Sequence, residues 1–112
     1  MTLDEMIVDF CKRSETDYTP EKVKETMKSC YSISTEKGFM VFDIVQDECH
    51  CFFCYVLPGQ SGAFKDFVKA VEVFAKVNGC KKAKFITRRD KAFARVMKDY
   101  SQCAVMFEKG LI

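Results

Sequence analysis

The sequence predicts an α+β domain, a mixed α/β sandwich whose central mixed sheet carries helices on both faces, in the order α-α-β-β-α-β-α-β. Three observations carry this. Between Phe64 and Ala75 the residues Phe64, Phe67, Val68, Val71, Phe74 and Ala75 form one unbroken helical stripe, with Lys65, Asp66, Lys69, Glu72 and Lys76 on the wet side. That helix sits between two apolar, β-rich runs, Cys49 to Leu57 and Lys82 to Thr87. Strand, helix, strand with short connections is the pattern of parallel neighbours joined by a crossover, whereas the shorter link before Cys49 demands an antiparallel hairpin.

The elements follow in order. Thr2-Leu3-Asp4-Glu5 reads as a capping box, and Leu3, Met6, Ile7, Phe10 and Cys11 continue at helical spacing to about Arg13. Polar residues from Ser14 to Tyr18 break that helix, and Thr19-Pro20-Glu21 starts the next one, with Thr19 as N-cap and Pro20 in the first turn. Val23, Met27, Cys30 and Tyr31 form its stripe, which predicts a helix ending before Lys37-Gly38. From Gly38 the period changes to two, through Val45, and Gln46-Asp47-Glu48 is the turn into the strand from Cys49 to Leu57. That strand is apolar on both faces, as a strand covered on both sides should be. Pro58 ends it, Ser61 or Gly62 starts the central helix, and Asn78-Gly79 stops that helix. Beyond Thr87, Phe93, Val96, Met97 and Tyr100 predict a last helix, and Cys103 to Phe107 a last strand. No repeat, linker or low-complexity segment divides the 112 residues, so one domain is expected over residues 1–112.

Composition narrows the function. No run approaches the roughly 18 apolar residues of a membrane span, and the first residues, Met-Thr-Leu-Asp-Glu, are acidic where a secretion signal is basic. Seven scattered cysteines do not make a disulfide framework. A protein of a reducing compartment, the cytoplasm, is the expectation. Cys49-His50-Cys51-Phe52-Phe53-Cys54 has the look of a metal cluster, but on a regular strand Cys51 and Cys54 point to opposite faces and cannot share an ion. No metal site is therefore expected, and His50, the only histidine, reads as a strand residue. Charge is polarised: residues 1 to 60 carry net −5 and residues 61 to 112 net +7, with the basic part beginning at the Gly-containing loop. This favours an anionic partner there, although Lys65, Lys69 and Lys76 are equally ordinary outer-helix residues. Nucleic acid could use Lys81, Lys82, Lys84, Arg88, Arg89, Lys91 and Arg95, but the aromatics among them, Phe85 and Phe93, read as core.

Three stretches carry a family resemblance. Tyr55-Val56-Leu57-Pro58 followed by Gly62, then Ala75 through Ala83, then Thr87 through Tyr100 resemble the strand, central helix and following strand and helix of the GNAT superfamily of N-acetyltransferases, in particular its small, divergent phage-encoded members. The resemblance implies acetyl-CoA or CoA as cofactor, with the pyrophosphate on backbone N–H groups of Gly59, Gln60, Ser61, Gly62 and Ala63 at the positive end of the central helix. It implies that the pantetheine arm pairs with backbone near Val56 and Leu57, and that Arg88 and Arg89 reach toward the anion. Departures are visible. Phe64 stands where the family's loop has another glycine, Arg89 roughly where it has an Asn, and Val96 near the position of its general-acid tyrosine, with Tyr100 about one turn late. Asp43 and Glu48 have the chemistry of a general base, but no spacing brings either to a cleft. The sequence therefore supports an acyl-CoA-dependent N-acyltransferase acting on an amine, and equally a catalytically degenerate relative that serves as a phage accessory or virion-associated binding protein. The acceptor amine or protein partner is not written in it.

Overall fold

The computed structural model describes residues 1–13 and 18–85, which form three helices and one four-stranded sheet: α1 Leu3–Arg13, α2 Pro20–Ser29, β1 Tyr31–Thr35, β2 Gly38–Val45, β3 Glu48–Val56, α3 Ser61–Val77 and β4 Lys82–Phe85. The expected last helix and last strand, and the end of the strand beyond Phe85, lie outside the described residues.

The starts of α1 and α2 are capped as the sequence requires. The Glu5 N–H donates to Thr2 Oγ1 at 3.2 Å and the Thr2 N–H to Glu5 Oε1 at 3.2 Å, so the capping box closes in both directions. Thr19 Oγ1 accepts from the Lys22 N–H at 3.3 Å, with Pro20 in the first turn.

The second helix is shorter than its stripe suggests. It ends at Ser29, Cys30 is already extended, and residues expected to be helical up to Lys37 form β1 instead. Tyr-Ser-Ile-Ser-Thr has little helical preference, and Ser and Thr hydroxyls compete with helical backbone bonds. Glu36-Lys37 is a two-residue turn in which the Lys37 N–H donates to Thr35 Oγ1 at 3.1 Å, and Thr35 stands opposite Gly38. Met27 and Cys30 still pack under the helices, as the stripe predicts, but Tyr31 crosses to the other face of the sheet and meets Phe42 and Phe74.

The sheet runs in the order β1-β2-β3-β4, antiparallel except for the parallel β3–β4 pair. Parallel pairing of the strands on either side of the central helix is the arrangement the strand, helix, strand pattern predicts. The helix between them ends in a Schellman motif: Gly79 has φ 75°, the Cys80 N–H donates to the Ala75 carbonyl at 2.9 Å and the Gly79 N–H to the Lys76 carbonyl at 3.1 Å. The Lys81 N–H then donates to the Asp47 carbonyl at 2.7 Å, which ties β4 to the β2–β3 turn.

Each face of β2 and β3 has its own core. On one face Met6, Ile7 and Val23 of α1 and α2 cover Phe39, Val41 and Tyr55. On the other, Phe67, Val68 and Val71 of α3 cover Met40, Phe42 and Cys51. No polar side chain is buried among the described residues.

Candidate functional site

The site is set by one extra residue in β3. Val41 stands opposite Phe53 but Phe42 stands opposite Cys51, so Phe52 has no partner and bulges. The bulge breaks the alternation on which the sequence argument about the cysteines rests. Cys49 and Cys51 face α3; Phe52 and Phe53 both face α1 and α2; from there Cys54 and Val56 turn back to the α3 side while Tyr55 and Leu57 stay with α1 and α2. Cys51 and Cys54 thus share a face, contrary to expectation. Among the described residues no group of three or more His, Cys, Asp or Glu side chains is placed to hold a metal. The thiols are in apolar surroundings: burial pushes Cys54 up to about 12 and Cys49 up to about 11, and Cys51 higher still. They are neutral near pH 7.

β4 is described as far as Phe85, which pairs with Cys51 one residue before the bulge. The Leu57 N–H donates to the Lys37 carbonyl at 2.9 Å, on the β2 side. In an extended strand bonding direction alternates, so Cys54 and Val56 present their N–H and C=O groups to the opposite edge, the one that β4 occupies farther back along the strand. Leu57, expected to share in cofactor binding, is occupied otherwise: its carbonyl also accepts from the Gln60 N–H at 3.1 Å. That bond closes a type II turn over Leu57-Pro58-Gly59-Gln60, with Pro58 second and Gly59 third at φ 81°.

The turn delivers the chain straight into α3. Gln60 is its N-cap but makes no side-chain cap bond, and the first turn contains no acidic residue. The Ala63 N–H donates to the Gln60 carbonyl at 3.0 Å, and the N–H groups of Ser61 and Gly62 lie ahead of it at the bare positive end of a 17-residue helix. A Cβ added at Gly62 would meet no atom of the described residues, so none of them demands a glycine here. Phe64, whose bulk threatens the approach of an anion on sequence grounds, packs into the α3-side core.

The remaining sequence candidates fall elsewhere. Arg88, Arg89, Val96 and Tyr100 lie outside the described residues. Glu48 stands at the opposite end of β3 from Val56, where His50 Nε2 at 3.1 Å and Lys84 Nζ at 3.0 Å hold its carboxyl below the ordinary range. Asp43 is also at that end, opposite His50, and accepts from the Ile44 N–H at 2.8 Å. Neither reaches the helix start. One group near the exit of β3 has no warning in the sequence: the Tyr55 hydroxyl donates to Asp9, which also pairs with Arg13 at 3.0 Å. Burial first, and this bond second, push Tyr55 up to about 12. The pairing spans 46 residues, which no local pattern could announce.

No family profile matches the chain and no curated protein matches it in sequence. Its structure is similar to the crystal structure of an acetyltransferase from Trypanosoma brucei, at a TM-score of 0.63 and 10% sequence identity, over 96% of this chain and 89% of that one. The fold is GNAT-like. At that identity the likeness concerns architecture alone. No helix among the described residues is long and apolar enough to cross a membrane.

Proposed function

We propose that the chain binds an acyl-CoA at the start of α3 and along the β4-side edge of β3, and passes the acyl group directly to an amine. The observation that carries this is the Phe52 bulge, beyond which Cys54 and Val56 turn their backbone groups to the β4-side edge of β3, just ahead of the tight turn that leads into the uncapped start of α3. In this reading the N–H groups of Ser61 and Gly62, on a turn set by Gly59 and Gln60, hold the pyrophosphate, while the Ala63 N–H is kept by the Gln60 carbonyl; no carboxylate in the first turn repels it. Cys54 and Val56 align the pantetheine arm, and an N–H on that edge polarises the thioester carbonyl. The acyl-CoA supplies an activated acyl group. Arg88 and Arg89 add positive charge if they extend to the same side. The cysteines beneath the edge are neutral, which argues against a thiolate intermediate and for attack by the amine itself.

A second reading, a GNAT-like binding protein without turnover, draws on the position of Asp43 and Glu48 at the wrong end of β3. A thermal-shift titration decides the shared step. Acetyl-CoA or CoA should raise the melting temperature with concentration, since a ligand that binds only the folded state adds about 2.7 kcal/mol at a hundred times its Kd. Gly62→Asp places a carboxylate at the helix start, clear of every described residue. It should leave the unliganded melting temperature unchanged or slightly higher, because an acid is favourable there, and should abolish the shift. No shift at millimolar CoA ends both cofactor-based readings. A shift without release of free CoA in the presence of a panel of amines selects the binding-protein reading.

A further inference from the structure

We infer that β1 is a self-pairing edge, through which two copies of this chain join their sheets in antiparallel fashion about a two-fold axis at Ile33. β1 is an outer strand, bonded to β2 alone among the described elements. All its residues except Ile33 are exposed, and Tyr31 is 49% exposed. Edge strands in monomeric proteins are guarded by charge, proline or bulges. Tyr31-Ser32-Ile33-Ser34-Thr35 has none of these, and its pairing with β2 is regular throughout.

The bonding parity fits a second copy. Thr35 and Gly38 close a two-residue turn, so bonding to β2 falls on Thr35, Ile33 and Tyr31, and Ser32 and Ser34 direct their N–H and C=O groups outward. With the axis at Ile33, Ser32 of one copy meets Ser34 of the other, twice, so outward groups meet outward groups. The side-chain pairs created are Ile33 with Ile33, Tyr31 with Thr35 and Ser32 with Ser34, each a favourable cross-strand combination and none a like-charge one. Tyr31 and Ile33 lie on the α3 face, where Tyr31 already packs on Phe74 with ring centroids 4.8 Å apart, so a partner strand would extend an existing apolar layer.

Charge supplies the second argument for a copy of the same chain. In this register Glu36, in the turn after β1, comes opposite Cys30 of the other copy, beside Lys28 in the last turn of its α2. Both Glu36 and Lys28 are exposed, and neither takes part in an ion pair among the described residues. The axis makes the pairing twice. An interface this short predicts a reversible, concentration-dependent dimer.

Sedimentation velocity on the whole chain, from micromolar to several hundred micromolar, tests this. The expected result is a monomer–dimer equilibrium. Ser32→Lys with Ser34→Lys sets lysine against lysine at exposed positions and should leave a monomer at every concentration, with an unchanged circular dichroism spectrum. Glu36→Lys alone and Lys28→Glu alone should each weaken the dimer by about tenfold, and the two together should restore it to within about twofold. A monomer throughout for the unaltered chain, a dimer that survives the double lysine variant, or a charge exchange that fails to restore association each overturns the proposal.

Discussion

Gly38 and Tyr55 show how single residues fix the exit of β3. A Cβ at Gly38 would collide with the Tyr55 carbonyl, so only glycine allows β2 to begin so close to the end of β3. Tyr55 then anchors that end to α1 through Asp9. Because the folded state raises the phenol from its ordinary value of 10 to about 12, it holds the proton more tightly than the unfolded chain does. The stabilisation is therefore complete below pH 10 and is lost as the pH climbs from 10 through 12. Tyr55→Phe should make the alkaline loss of stability shallower over that window in chemical-denaturation curves. The thiols of Cys51 and Cys54, also pushed upward by burial, would account for the loss that remains.

At the scale of the element, the bulge can be separated from the fold. Deleting Phe52 leaves Cys51 followed by Phe53, a regular alternation in which Phe53 and Tyr55 still face α1 and α2 and Cys54 and Val56 still face α3. The variant should fold, losing only the packing of one half-buried aromatic, about 1 to 3 kcal/mol in urea unfolding. The local twist that goes with the bulge would disappear, and with it any thermal shift by CoA. A shift of full size in the deletion variant would detach the cofactor from the bulge. The same bulge marks where sequence reading stops. Period and caps disclosed α1, α3, the β2–β3 hairpin and the parallel β3–β4 pair, because each signal is local. The run Phe52-Phe53-Cys54 is apolar at every position, so nothing in it reveals that one residue is surplus. Likewise Val23, Met27 and Cys30 do lie on one face, yet their spacing could not show that the chain turns extended at Cys30, a matter decided by pairing with β2. The start of α3 was legible from Gly59 to Ala63; the discharge of Leu57 into the turn and the anchoring of Tyr55 were not, since both depend on residues distant in the chain.

Across the whole molecule, β2 and β3 are covered on both sides, and neither helical layer touches the other's core. Val23 in α2 and Val71 in α3 are fully buried on opposite faces of the same two strands. If the domain is one cooperative unit, losing either layer exposes the other face of the strands, and both layers must melt together. Val23→Ala and Val71→Ala should then each lower stability by about 2 kcal/mol, within a single transition and with an unchanged dependence on denaturant. Separated by the sheet and sharing no partner, their effects should add to within about 0.5 kcal/mol in the double variant. Two transitions in Val23→Ala, with only the earlier one displaced, would instead mean that α1 and α2 dock as a separable layer. In that case Tyr55 and Asp9, which join this layer to the end of β3, would be the contact through which loosening of the helices reaches the β4-side edge.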